Sequence, residues 1–408
     1  MTESKSFANP YRPGAGHMPP FLAGRTHETE EFRKLLEQSL ILENMVLTGL
    51  RGVGKTVLLE TFKPIALSEQ WRWIGTDLSE AASLTEANVA TRILTDLSVV
   101  TSSLTIGKQK AAPLGFSPNP STDQEIKLGY ESLIHLYNQT PGLVSDKLKA
   151  VLEFVAQALS NEPTRGLIFA YDEAQNLSDH AGKGEYPLSL ILDVFQSIQK
   201  KGIPFMLVLT GLPTLFPKLV ESRTYAERMF RVLFLDKLDE TESKAAVLNP
   251  IKEQNCPVFF TPESVDKIVD ISGGYPYFIQ FIGREVYDVF IQQFSDGATP
   301  SVPVDSIYAK LDSDFFAGRW ARATDRQREL MQVIASLDNC DSEFTVQEIA
   351  DQSKKKLEKP FSNSHVNQML SSLGNAGLVF KNRHGKYAFA VPLLGQFIHR
   401  QTVQQSVA

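Results

Sequence analysis

Residues 49–56 read GLRGVGKT, which satisfies the phosphate-loop pattern G-x-x-x-x-G-K-[ST]. Gly49, Gly52 and Gly54 let the backbone fold into a nest of N–H groups, to which Leu50, Arg51 and Val53 also contribute amides. Those amides and the N-terminus of a following helix complement phosphate charge. Lys55 can reach the β- and γ-phosphates of ATP, and the Thr56 hydroxyl can ligand Mg²⁺. A second group lies at residues 167–173, LIFAYDE. It is an apolar run ending in two acids. Asp172 would hold Mg²⁺, directly or through water, and Glu173 would polarise the attacking water as a general base. A third run, PFMLVLTG at 204–211, ends in Thr210. Neighbouring strand ends in a sheet lie about 5 Å apart, so Thr210 can sit beside Asp172 and reach the water or the γ-phosphate. The alternative is a threonine that caps its own turn.

Such groups need a frame. Phe32, Leu35 and Leu36 mark a helix over 27–39. The pattern then gives a strand over 44–48 and a helix over 55–62 that stops before Pro64. A strand over 71–76 and a helix over 84–97 follow. Residues 102–124 are polar and read as a surface insertion or flexible loop. An amphipathic helix covers 145–159, and a further helix covers 188–200. Strands alternating with helices predict an α/β fold with a mostly parallel sheet covered on both faces. After Leu235 the pattern becomes helical over 240–249, 262–271 and 277–294. Residues 300–303 read as a linker and 304–316 as a bridging helix. The last part predicts helices over 325–336, 346–352 and 363–376, then short strands over 378–381 and 387–391. No internal repeat is found.

A chain of 408 residues suggests two or three domains at roughly 150 residues each. Charged residues are 22% and hydrophobic residues 42%, which excludes a disordered chain, a collagen and a coiled-coil rod. No apolar run reaches the roughly 18 residues that span a bilayer, so no membrane partner is expected. The N-terminal stretch lacks the apolar centre of a secretory signal. Only Cys256 and Cys340 are present, which argues against disulfide and structural zinc frameworks and for a cytoplasmic setting. The net charge of −6 is uneven. From Gly318 onward 12 Lys and Arg accompany 8 Asp and Glu. A mildly acidic body with a basic tail is compatible with nucleic-acid contact at one end.

Five segments carry a family resemblance: FLAGRTHETEEFRKLL (21–36), the two nucleotide motifs GLRGVGKT and LIFAYDEAQNL, SRTYAERMFRVLFLDKLDETE (222–242) and SGGYPYFIQFIGR (272–284). Together they resemble AAA+ ATPases of the archaeal-type, origin-recognition-like branch, close to the signal-transducing ATPases with numerous domains. The likeness covers about residues 9–315 and implies a P-loop AAA+ core, a helical lid and a C-terminal winged helix-turn-helix. The implied boundaries are an extended lead-in over 1–20, the core over 21–235, the lid over 236–316 and the winged helix over 317–408. In this resemblance the segment around Leu22 wraps the adenine and Thr210 falls at the sensor-1 position. Arg228 and Arg231 fall where a neighbouring subunit's arginine finger is expected, with Arg223 as a third option. Pro276 would help the lid to close over nucleotide. The lid turn Gly274–Tyr275–Pro276 carries no arginine, and Arg284 lies about two turns later, a departure that implies slow, switch-like turnover.

The tail, residues 325–400, has winged-helix order. The recognition helix would be 363–376, presenting Asn363, His365, Asn367 and Gln368. Lys354, Lys355, Lys356 and Lys359 would lie in the turn before it. The hairpin VFKNRHGKYAF (379–389) would be a wing, with Lys381, Arg383, His384 and Lys386 clustered at its tip. Such a surface can contact the DNA backbone with modest base readout, or pack against its own ATPase or a partner. The expectation is an ATP-binding, slowly hydrolysing switch that forms a homo-oligomer on ATP and binds double-stranded DNA. The alternative is a nucleotide-sensing regulatory scaffold that binds a protein effector.

Overall fold

The computed structural model describes residues 8–14, 16–110, 123–180, 182–297, 299–383 and 385–407. Its contacts divide the chain into two compact units. One is formed by Thr26–Thr48 and Leu58–Phe234. The other contains the residues up to Arg25, Gly49–Val57 and everything from Leu235 onward.

The first unit is built on a parallel sheet. In chain order the strands are β1 (Asn44–Gly49), β2 (Trp71–Asp77), β3 (Thr105–Lys110), β4 (Asp123–Lys127), β5 (Gly166–Asp172), β6 (Phe205–Gly211) and β7 (Phe230–Leu235). Five of them form one sheet in the order β2-β5-β6-β1-β7. Every residue of β1, β5 and β6 is buried. Strands covered on both faces must be apolar throughout, which is why these three read as unbroken apolar runs. Register is parallel, with Tyr171 opposite Leu209 and Leu47 opposite Thr210. The sheet therefore brings the C-terminal ends of β5, β6 and β1 to one edge. Helices Glu86–Thr101, Val144–Leu159 and Pro187–Lys200 pack apolar faces into the core of this unit.

Two expectations change here. Helix Lys55–Ser68 does not stop before Pro64 but carries it inside. Pro64 and Glu60 both lie on the exposed side, where solvent can meet the carbonyl that the missing N–H leaves without a helical donor. The polar stretch over 102–124 is no simple loop at its ends, because β3 and β4 pair antiparallel. A mostly polar sequence suits a two-stranded ribbon as well as it suits a loop. Residues 111–122 of the insertion lie outside the described residues. Helices Tyr130–Gln139 and Leu215–Ser222 are further elements that the sequence pattern did not single out.

The second unit is mostly helical. Asp239 and Glu242 form a capping box that opens helix Glu240–Glu253, which continues through Pro250 rather than ending at Asn249. Thr261 caps helix Pro262–Ser272, and left-handed Gly273 (φ 59°) ends it. Helices Pro276–Ser295 and Val304–Leu311 follow, then a π-type turn, Asp312–Phe316. The tail runs helix Asp325–Ala335, β8 (Phe344–Thr345), helix Val346–Lys356, helix Asn363–Asn375, β9 (Val379–Arg383), β10 (Lys386–Phe389) and helix Leu394–Val407. Its strands lie in the order β8-β10-β9 and pair antiparallel. Thr324, Thr345 and Ser362 each accept from the backbone amide three residues on, starting the three tail helices. Phe316 joins helix Pro276–Ser295 and helix Leu394–Val407 in one core. It stacks on Phe278 at 6.1 Å and on Phe397 at 5.1 Å between ring centroids. Truncating such a buried ring costs about 3–5 kcal/mol.

Candidate nucleotide site and tail surface

The chain leaves β1 directly into the glycine loop and from there into helix Lys55–Ser68. Gly52 (φ 81°) and Gly54 (φ 91°) adopt left-handed conformations that a side chain would strain. At Gly49 the constraint is space, because a Cβ there would come within 2.4 Å of the Leu235 carbonyl oxygen. The Lys55 ammonium donates to the carbonyls of Gly49 and Leu50, both at 2.9 Å. It thus folds back onto the start of the loop. Thr56 follows in the first turn of the helix. The Tyr277 amide donates to the Gly52 carbonyl at 3.1 Å. Tyr277 stands one residue after Pro276, the first residue of helix Pro276–Ser295. The turn led by Pro276 is therefore fastened to the loop, and Leu22 is half-buried in the same unit.

Arg25 closes the segment FLAGR, and its spacing alone predicts no role for it. Arg25 is 8% exposed. Its Nη2 donates to the Val53 carbonyl at 2.9 Å and to the Asp236 carbonyl at 2.8 Å. One buried cation therefore ties the loop to the segment after β7. Arg51 is exposed and lies near the turn at Gly377, where a Cβ would stand 3.8 Å from its guanidinium. Burial, and then the charge of Arg51, push the Arg319 guanidinium below its usual range.

At the end of β5, Asp172 is 3% exposed and Glu173 is exposed. The Thr210 hydroxyl donates to Asp172 Oδ1. The Glu173 amide donates to the same oxygen at 2.7 Å. Glu173 itself has a left-handed backbone (φ 52°), a strained conformation for a residue with a side chain. Asp77 stands opposite Asp172 in the β2–β5 pairing. Burial, then Asp172 and Glu173, push the Asp77 carboxyl above its usual range. The Asp172 carboxylate is a hard oxygen donor, the chemistry that Mg²⁺ prefers. Among the described residues no group of three His, Cys, Asp or Glu could hold a metal ion by itself. A cation shared with nucleotide phosphates needs no such cluster.

The three candidate finger arginines differ. Arg231 is held between Glu31 at 2.7 Å and Glu43 at 2.5 Å. Arg223 grips Asp193 at 2.8 and 2.6 Å, with the Tyr225 hydroxyl on the same carboxylate. Arg228 is exposed and has no ion pair among the described residues.

In the tail, Asn363, His365, Asn367 and Gln368 are exposed, while Val366, Met369, Leu370 and Leu373 are buried. Asn363 donates to Gln347 at 2.9 Å, and Asn367 donates to the Asn363 carbonyl at 3.1 Å. Lys354, Lys355 and Lys356 do not lie in the turn before this helix. They form the exposed last turn of helix Val346–Lys356, where cations complement the helix dipole. Lys354 pairs with Asp351 at 2.9 Å. Lys381 is exposed on β9 and Lys386 is half-buried on β10. Arg383 is placed by its backbone, opposite Lys386; its side chain and His384 lie outside the described residues.

The chain is similar along its length to a solved structure of the ORC2 protein of Aeropyrum pernix in ADPNP and ADP complexes. Identity is 14%, the match covers 97% of this chain and 98% of that one, and the TM-score is 0.51. The fold is the AAA+ fold of archaeal origin-recognition proteins. Pyrobaculum aerophilum Cdc6p also matches, at 14% identity over 96% of this chain and 97% of that one, with a TM-score of 0.48. The Aeropyrum pernix ORC1 protein, solved in complex with DNA, matches at 15% identity over 96% of each chain, with a TM-score of 0.46. Residues 313–398 match a family described as a domain of unknown function (DUF8462). None of the curated proteins matches the chain by sequence. No helix of the described residues is long and apolar enough to cross a membrane.

Proposed function

We propose that this chain is an ATP-dependent AAA+ switch that hydrolyses ATP slowly, associates with copies of itself and contacts double-stranded DNA through its tail. The observation that carries the reading is the glycine loop. Left-handed Gly52 and Gly54 suit a phosphate nest of main-chain amides, and the Lys55 ammonium lies against the same loop. Lys55 would leave those carbonyls for the β- and γ-phosphates. Mg²⁺, held by Thr56 and Asp172 with the nucleotide, would neutralise charge on the phosphates. Glu173 would take the proton of the attacking water, and Thr210 would hold Asp172 in orientation. Of the three arginines, Arg228 is the one whose guanidinium is available to a neighbouring copy. Residues 21–235 would act as the nucleotide-binding core, 236–316 as the lid and 317–408 as a winged helix. The resemblance to the signal-transducing branch supports a switch rather than a motor.

The test is Lys55→Ala. Loss of a charge-assisted contact of about 1.5–3 kcal/mol should weaken ATP binding roughly ten- to a hundredfold. A titration that gives the parental ATP affinity would remove the phosphate-loop assignment and the function built on it.

A further inference from the structure

The turn after β5 contains a side chain, Gln175, that the proposed function leaves without work. Gln175 Nε2 donates to the Glu173 carboxylate at Oε2. Its Oε1 accepts from the Leu212 amide at 3.0 Å, just beyond Gly211 at the end of β6. The Gln175 carbonyl accepts from Lys218 Nζ at 2.9 Å, on helix Leu215–Ser222. One amide thus bridges the acid at the end of β5 and the main chain that follows Thr210. The bridge has one sense only. An amide oxygen that accepts from Leu212 turns the NH₂ group towards Glu173. Space for it comes from Gly211, where a Cβ would stand 2.7 Å from Gln175 Oε1. Burial pushes the Lys218 ammonium below its usual range, as expected for a cation inserted between a helix and this turn.

Resting on the assignment of Glu173 as the base, we propose that Gln175 is a positioning residue that holds the Glu173 carboxylate in its working orientation and locks it to the end of β6. Glu173 is exposed and carries a long side chain, so without a fixed donor it would sample several rotamers. With Oε2 held by Gln175, Oε1 stays directed to one place. Because the same amide grips Leu212, two residues after Thr210, a shift of the β6 terminus would be felt at the base. Lys218 extends the link to helix Leu215–Ser222, whose C-terminal end leads into the segment bearing Arg228.

Two substitutions separate positioning from mere packing. Gln175→Ala removes both side-chain bonds. Gln175→Glu keeps an acceptor for the Leu212 amide but replaces the donor facing Glu173 with a carboxylate. Both should lower kcat about tenfold or more, as expected when a catalytic group is misplaced, with ATP affinity in a binding titration unchanged. Gln175→Glu should retain the parental thermal midpoint. In the Glu173→Gln background neither should lower the residual rate further, since the group they position is gone. Parental kcat in Gln175→Glu overturns the proposal, leaving Gln175 as an anchor for Leu212. A full additional loss on top of Glu173→Gln also overturns it. If Gln175→Ala does not fold, Gln175→Glu decides. Parental turnover in Glu173→Gln alone, with Gln175 intact, instead defeats the assignment of the base.

Discussion

In the glycine loop, the groups that would meet a ligand are main-chain amides, and contacts on several sides fix them. Gly49 is pressed towards the Leu235 carbonyl, Gly52 is tied to Tyr277, and Val53 is gripped by buried Arg25. On helix Asn363–Asn375 the candidate groups are side chains in solvent, carried by a buried face of Val366, Met369, Leu370 and Leu373. The loop demands particular residues because its backbone shape does. The tail face demands only that certain positions be polar, so its chemistry can change while its fold stays. Substitutions in the loop's surroundings should therefore disturb structure and ligand together. Substitutions on the tail face should change binding alone.

The largest effect should come from the acid that completes the nucleotide chemistry. Glu173→Gln should keep ATP and lose turnover by about 10²–10⁴, the usual contribution of a positioned general base. It should also trap any ATP-dependent oligomer. Mixing it with Arg228→Ala should restore part of the activity, because each copy supplies what the other lacks. Parental turnover in the single variant would remove Glu173 as the base. Turnover independent of protein concentration, without rescue on mixing, would leave Arg228 an ordinary surface arginine.

The next contrast is electrostatic. Replacing Lys381, Arg383 and Lys386 with Glu should weaken duplex binding and flatten its salt dependence, each lost phosphate contact lowering the slope by roughly one unit. ATP affinity should stay at the parental level. Duplex binding equal to the parent at low and moderate salt would exclude this wing as the DNA-contacting surface and favour a protein partner for the tail.

Gly49→Ala probes the opposite side of the comparison. Its methyl group would approach the Leu235 carbonyl to within 2.4 Å, an overlap that the backbone must relieve. Overpacking of this kind costs about 1–3 kcal/mol. The thermal midpoint and ATP affinity should fall together, while the tail helices keep their circular dichroism. A loss of ATP affinity without any loss of stability would show that the loop is less constrained than its contacts imply.

The same contrast explains what the sequence could reveal. The tight loop at Gly49, Gly52 and Gly54 is legible because its left-handed backbone and its close approach to Leu235 restrict residue types at fixed spacing. Strands β1, β5 and β6 were legible because burial on both faces leaves only apolar residues. Thr210 beside Asp172 followed from parallel neighbours in the sheet. Local rules failed where the outcome depended on which side faced solvent. Pro64 was expected to end a helix and instead rides on its exposed side. Lys354, Lys355 and Lys356 were expected in a turn, yet three lysines are good helix formers and finish a helix. Nothing in the sequence marks Arg25 or Gln175, because their partners, Asp236 and Leu212, are neighbours only after folding. Likewise, nothing in the spacing of Arg231 shows that Glu31 and Glu43 will hold it.

The smallest expected effect tests the tail face most directly. Asn367 and Gln368 are exposed within helix Asn363–Asn375. Asn367 bonds only to a carbonyl of its own helix among its described contacts. Alanine is the better helix former at such a site, so Asn367→Ala and Gln368→Ala should leave stability within about 0.5 kcal/mol of the parent. Neither residue carries charge, so the salt slope of duplex binding should not move. What should move is selection. If one of these amides meets a base edge, its loss should cost about 1–3 kcal/mol on the preferred sequence and little on others. Selection from a random duplex pool, followed by sequencing, reads this difference. Identical preferences in parent and variants would mean that the face makes no base contact. The tail would then hold DNA through backbone charge alone, and sequence choice would have to come from outside helix Asn363–Asn375.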